Sequence, residues 1–329
     1  MKTQTHWKNL SWQRQVLRTE LRHGYRRCAL ALLCVLVFPL LGAQADPALA
    51  SYTRTEDVIY GRKFGTALTL DVFRPNGTNN GCGIVYIVSG GWFSAHQGIA
   101  PATYNAFLRR GYTVFAVVHG SQPKFQIPEI MEDVHRAVRF IRSHAAEYGV
   151  APDRLGVTGS SAGGHLSLVL STQGGTGAAD AKDPVDRASS AVQAVACFYP
   201  PTDFLNYGEP GVVALGDNIL KDFKAAFGPV PTDPDARMAF GRRISPLYHI
   251  TSNLPPTLIL HGDADKLVPF QQAESFVAAA RAVGVPVRLV VKKGAGHGWA
   301  NWVGDFELFA QWFDEHLRGL PPVANETSK

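Results

Sequence analysis

Short, largely apolar runs alternate along this chain with longer stretches whose apolar residues recur every three or four positions. The runs at 84–88, 114–118, 155–158, 192–198, 257–260 and 287–291 predict strands. Their lack of strict polar alternation marks strands covered on both faces. Over 128–149, Ile130, Val134, Ala137, Val138 and Ile141 share one stripe, the spacing of an amphipathic helix opened by Pro128 and ended by Gly149. Further helices are expected over 102–110, closed by Gly111, and over 270–283 and 306–317. Ahead of these, 58–60 and 68–73 read as two antiparallel strands joined by a turn near Gly65. The alternation predicts an α/β chain with a mostly parallel central sheet and helices on both faces.

Two stretches break the rhythm. Residues 174–190 are rich in glycine and aspartate, with Asp180, Asp183 and Asp186. Three carboxylates could hold calcium, but the same composition makes a solvated loop, which is the reading taken. Residues 200–250 mix Gly, Pro and short helical pieces, among them 219–227, and read as a cap-like insertion over the sheet rather than a second domain. Phe204, Tyr207, Phe223, Phe227 and Tyr248 there either line a pocket or pack the insertion down.

Composition narrows the class. The 329 residues are 46% hydrophobic and 18% charged, which suits a globular protein with a substantial core. The net charge of +5 is unevenly placed. Lys2, Lys8, Arg14, Arg18, Arg22, Arg26 and Arg27 against Glu20 give residues 1–45 a balance of +6, so the remainder is close to −1. No nucleic-acid partner is implied. A positive stretch ending at Arg27, an apolar stretch over 28–41 and Ala43-Gln44-Ala45 predict a cleaved export signal over 1–45. The apolar stretch is short for a membrane span. A mature chain of 46–329, periplasmic or secreted and without a stable membrane span, is expected; a retained anchor is the alternative. That chain keeps Cys82 and Cys197, expected to lie too far apart to pair, and no disulfide framework or metal spacing arises. No cofactor and no metal site is expected.

The chemistry centres on residues 154–165, Arg-Leu-Gly-Val-Thr-Gly-Ser-Ser-Ala-Gly-Gly-His. A strand stops at Gly159, turns sharply through Ser161 and yields to a helix after Gly163. Side chains at 159 and 163 would collide with neighbouring backbone in such a turn. An ordinary glycine loop would also fit the bare pattern, but strand before and helix after mark a nucleophile elbow. The stretch resembles the α/β-hydrolase superfamily, its esterase/lipase branch in particular, and the resemblance runs over roughly 55–318.

That resemblance implies the order nucleophile, acid, base. His261-Gly262-Asp263-Ala264-Asp265-Lys266-Leu267-Val268-Pro269 is similar to the H-G-x-x-D-x-x-V-P loop of the family, which puts the acid at Asp265, with Asp263 the rival. The base is expected at His297, in Gly294-Ala295-Gly296-His297-Gly298, whose glycines let a loop carry the imidazole close. His135, His144 and His316 read as surface residues and His165 and His261 as structural, while His96, His119 and His249 could rim the pocket. Related esterases carry H-G-G-G-W where this chain has Val88-Ser89-Gly90-Gly91-Trp92, so Gly90, Gly91 and Ala162 are the implied oxyanion donors. The missing histidine normally braces that loop.

The implied activity is that of a secreted serine hydrolase. It would cleave small-molecule or polysaccharide-borne carboxylic esters through an acyl-enzyme, in the manner of acetyl-esterase and feruloyl-esterase-like proteins. A serine peptidase of the prolyl-oligopeptidase type is the alternative. A hydrolase-fold binding protein without turnover is a third reading, though such relatives typically lose one of the three residues.

Overall fold

The computed structural model describes residues 50–322; the leader expected over 1–45 lies outside the described residues. Eight strands form one sheet: β1 (Tyr52–Lys63), β2 (Thr66–Pro75), β3 (Gly83–Val88), β4 (Thr113–Val118), β5 (Leu155–Ser160), β6 (Ala194–Phe198), β7 (Thr257–Gly262) and β8 (Val287–Lys292). Their order is β1-β2-β4-β3-β5-β6-β7-β8. The β1–β2 and β2–β4 pairs are antiparallel, and every pair from β4 onward is parallel.

The apolar runs are two interleaved faces. Val85 and Ile87, Phe115 and Val117, and Val195 and Cys197 enter one core, while Ile84 and Tyr86, Val114 and Ala116, and Ala194 and Ala196 enter the other. The period-2 alternation of a strand is therefore intact; both sets are apolar because both faces are covered. Helices α1 (Asn105–Leu108), α2 (Ile127–Ser143), α3 (Ala162–Gln173), α4 (Lys224–Phe227), α5 (Pro234–Ile244), α6 (Gln271–Ala282) and α7 (Phe306–Arg318) follow in chain order. α2, α3 and α6 pack on the first face and α1 and α7 on the second. Cys82 and Cys197 belong to opposite cores, and both are free and buried.

Several local expectations change. The helix expected over 102–110 is a 3-10 turn, Pro101–Tyr104, running into the single turn of α1, with the Thr103 hydroxyl bonded back to the Ala100 carbonyl. α2 begins as expected, with a Gln126–Glu129 capping box and Pro128 in its first turn, but stops at Ser143 rather than Gly149. Ser143 Oγ donates to the Arg139 carbonyl and the His144 ring bonds that of Phe140, so side chains compete for the last backbone acceptors. A 3-10 turn then reaches Gly149, at φ 66°. β1 is twelve residues long, and its mostly exposed edge carries two bulges. His135, His144 and His316 are half-buried rather than exposed; His135 bonds Ser190 Oγ at 3.0 Å.

In the 174–190 loop, Asp183 and Asp186 are committed to Arg136 at 2.6 and 2.8 Å. Asp183 also caps the turn Pro184–Arg187 by accepting the Val185 N–H. In the 200–250 insertion, Phe204, Tyr207 and Phe227 are buried and pack the segment down, with Tyr207 OH donating to the Leu267 carbonyl at 3.1 Å. Tyr248 is exposed, its hydroxyl on Asp203, and Phe223 is half-buried.

Phe313 of α7 lies so close under β5 that a Cβ at Gly156 would be 2.6 Å from its ring. Phe313→Ala empties that fully buried site and is expected to cost about 3–5 kcal/mol, read as a lower urea midpoint at unchanged m.

Candidate active site

The parallel strands end on one side of the sheet, and there the loops after β3, β5, β7 and β8 meet. Ser161 sits between β5 and α3 at φ 54°, ψ −117°, a strained conformation. Packing enforces it: a Cβ at Gly159 would lie 2.6 Å from the Gly163 carbonyl, and one at Gly163 2.8 Å from the Ile87 oxygen. The Ser161 N–H donates to the Phe198 carbonyl at the end of β6 at 3.0 Å.

Ser161 Oγ is 2.9 Å from His297 Nε2, and His297 Nδ1 is 2.7 Å from Asp265 Oδ2. Since an ionised carboxylate only accepts, Nδ1 carries the hydrogen and Nε2 is left to accept the Ser161 hydroxyl. The His297 loop comes close because Gly262, ending β7, has no side chain: a Cβ there would stand 2.3 Å from the Ala295 carbonyl. Beyond the loop, Trp299 Nε1–H and Lys292 both donate to Asp305, each at 2.6 Å. The Tyr199 ring, at φ 33°, lies 4.4 Å from the His297 ring centroid.

Asp265, not Asp263, meets the imidazole. Asp263 accepts the Gly294 N–H at 2.6 Å and faces Lys293. The Asp265 side chain is fully buried, and its Oδ1 accepts the Leu267 and Val268 N–H groups at 2.9 and 3.0 Å. Its Oδ2 also faces His261 Nε2 at 3.3 Å, a ring whose main acceptor is the Val268 carbonyl at 2.9 Å. Burial alone would raise the Asp265 pKa; the hydrogen bonds from His261 and His297 and from backbone outweigh it and hold the carboxyl well below the usual carboxylate range.

The expectation for Gly90 needs correcting. Gly91 and Trp92 are consecutive left-handed residues, φ 55° and 59°. They fold the loop so tightly that Gly90 N–H donates to Phe93 O at 3.0 Å while Phe93 N–H donates back at 2.9 Å. The Gly90 donor is spent. The N–H groups of Gly91 and Ala162 have no protein acceptor among the described residues, and Ala162 opens α3, at the positive end of its dipole. Trp92 is buried: its Nε1–H donates to His165 Nδ1 at 3.2 Å, and His165 Nε2–H donates to Ile244 O at 2.7 Å. Burial pushes the His165 ring down to about 4, so it is a neutral link.

The remaining pocket candidates separate. His119 bonds Ser89 at 2.8 Å, His249 is half-buried with its ring on Arg242 O, and His96 is turned toward Asp71. Asp57, Asp71 and His96 place ligand atoms within 4.8 Å of one another, but the Arg54 guanidinium already holds Asp71 Oδ2 at 2.6 Å and the Asp57 N–H holds Oδ1. A cation there would face an arginine. Tyr199 had no signal strong enough to single it out in the sequence, and Gly262 entered only as part of the loop that carries Asp265.

The BD-FAE family model matches residues 70–279, a span that contains Ser161 and Asp265 and stops short of His297. The chain belongs to the BD-FAE family. This BD-FAE chain is 31% identical over 244 residues to the probable carboxylic ester hydrolase LipM of Mycobacterium tuberculosis, covering 70% of this chain and 53% of the relative. It thus spans about half the length of that relative. To the ethyl acetate hydrolase of Pseudomonas putida it is 25% identical over 315 residues, 87% of this chain and 91% of the other. A truncated carbohydrate esterase from gut microbiota shares the fold at TM-score 0.68 and 24% identity, over 83% of this chain and 98% of that one. The BD-FAE chain thus has the α/β-hydrolase fold, and its named relatives are ester hydrolases.

Because Asp265 has a depressed pKa, its ionised form stabilises the fold fully above the unfolded carboxylate value of about 3.9. That stabilisation is lost as the pH falls through the lower folded value. The Tm gap between wild type and Asp265→Asn is therefore expected to be constant above about pH 5 and to shrink below about pH 4. A pH-independent gap in thermal scans would contradict the assignment.

Proposed function

We propose that this chain hydrolyses carboxylic esters through an acyl-enzyme, with Ser161 as nucleophile, His297 as general base and acid, and Asp265 holding the imidazole. The observation that carries this reading is the unbroken hydrogen-bond chain from Ser161 through His297 to Asp265, at 2.9 and 2.7 Å. A serine hydroxyl is a poor nucleophile without such a base. As Ser161 Oγ bonds to the ester carbonyl carbon, its proton passes to His297 Nε2, and the imidazolium is balanced by the ionised Asp265. The oxyanion rests on the N–H groups of Ala162 and Gly91. Collapse breaks the bond to the alkoxide, which takes the proton from Nε2. Water then repeats the sequence on the acyl-enzyme and releases the acid.

The same reading takes the substrate as an ester borne by a small molecule or a polysaccharide, met in the periplasm or outside the cell after removal of residues 1–45. Phe93, 56% exposed beside Gly90, offers an aromatic face on which a sugar ring can stack. Among the described residues no helix is long and apolar enough to cross a membrane. The relatives named above are ester hydrolases, which gives the peptidase alternative no support.

Ser161→Ala is expected to lower kcat on a short-chain aryl ester by about 10⁴-fold or more with unchanged circular dichroism. It is also expected to abolish labelling by a fluorophosphonate, which needs an activated serine. Wild-type turnover in a folded Ser161→Ala protein would remove the nucleophile from this scheme. Release of acetate from an acetylated xylan, compared with cleavage of a proline-containing peptide, separates the substrate classes.

A further inference from the structure

The loop that carries Gly91 lacks the histidine found in similar esterases, yet an imidazole stands beside it. His119 follows β4, is 3% exposed, and places Nε2 2.8 Å from Ser89 Oγ and Nδ1 2.7 Å from the Gly120 carbonyl. A carbonyl only accepts, so Nδ1 carries the hydrogen, Nε2 is the acceptor and the Ser89 hydroxyl donates. The proton of the Ser89 hydroxyl is therefore committed to His119 and is not offered to an oxyanion.

The contact is one of a set. Segment 119–122 clasps loop 88–94 through His119 N–H to Ser94 Oγ at 3.2 Å, Ser94 N–H to Ser121 Oγ at 3.1 Å, Gln122 N–H to Trp92 O at 3.2 Å and Gln122 Nε2 to Gly91 O at 3.1 Å. Ser94 Oγ also donates to Val88 O at 2.6 Å. Behind it, Asp133 of α2 accepts the Gly120 N–H at 2.8 Å and pairs with Lys63 at 2.7 Å. Ser89 lies beside the nucleophile turn as well: a Cβ added at Gly163 would lie 3.5 Å from the Ser89 carbonyl oxygen and 3.7 Å from its Cβ.

We infer that His119 is a positioning residue of the active site, bracing the Gly91 loop against the nucleophile turn through Ser89 from the neighbouring strand. The inference rests on the esterase reading above. Burial, with Lys63 nearby, keeps the ring neutral by pushing it down to about 4 against the pull of the Gly120 carbonyl. The brace therefore does not switch off across the range in which esterases work.

His119→Asn keeps a short amide near Gly120 but cannot reach Ser89, whereas the longer amide of His119→Gln can accept the hydroxyl. On p-nitrophenyl acetate, His119→Asn is expected to lower kcat by about 10- to 100-fold at nearly unchanged KM, less than the roughly 100- to 1000-fold of an oxyanion donor removed outright. His119→Gln should recover most of that loss, Ser89→Ala should match His119→Asn, and the double variant should lose no more than either single one. The limbs of the pH–rate profile should stay in place while its plateau falls. Wild-type kcat in folded His119→Asn, or in Ser89→Ala should His119→Asn not fold, overturns the proposal and leaves the esterase reading intact. A wild-type protein that neither turns over ester nor takes a fluorophosphonate overturns both.

Discussion

Between Gly159 and Gly163 there is no room for a methyl group, and between Gly163 and the Ile87 carbonyl there is little more. This crowding of β5, α3 and β3 holds Ser161 in a backbone conformation that would cost about 1–3 kcal/mol on its own. The cost is offset by the two apolar cores that clamp the sheet from either side. The residues of the candidate site are then placed relative to that turn by backbone proximity. β6 receives the Ser161 N–H, and β7, ending in Gly262, lets the His297 loop settle against it.

How much of this can be read from the sequence depends on whether a feature is local. The apolar runs foretold the parallel strands because each is covered on both faces. β1 was under-read because most of its twelve residues face solvent and supply no apolar alternation. That Ser161, Asp265 and His297 meet was legible because each sits among glycines or turn residues that the close approach itself requires. Gly90 was misread for the opposite reason. Whether its N–H is free is decided by the Phe93 carbonyl, a matter of how the turn closes and not of which residues it contains. His119 could only be named as a rim residue, since its partner lies thirty positions away and the two meet through strand neighbours β3 and β4.

Buried imidazoles recur as connectors. His119 ties the end of β4 to Ser89, His261 ties the end of β7 to Val268 and Asp265, and His165 ties Trp92 to Ile244. In His119 and His165 a neutral ring suits this work because it offers one donor and one acceptor on opposite sides of a rigid plane, whereas His261 makes both of its contacts through Nε2. Asp265 is the contrasting case: its charge survives burial because its two oxygens collect hydrogen bonds from two rings and two backbone N–H groups.

The Trp92–His165–Ile244 link has a bearing on the insertion. Ile244 lies within the insertion, and Trp92 in the loop beside the nucleophile, so one indole and one imidazole rivet the two together across α3. Any change in the path of the insertion at Ile244 is therefore felt through His165 at Trp92, although the two lie far apart in the chain. The structural unit is the insertion together with Trp92 and His165, because the two hydrogen bonds that join it to the Gly91 loop run through that indole and that imidazole.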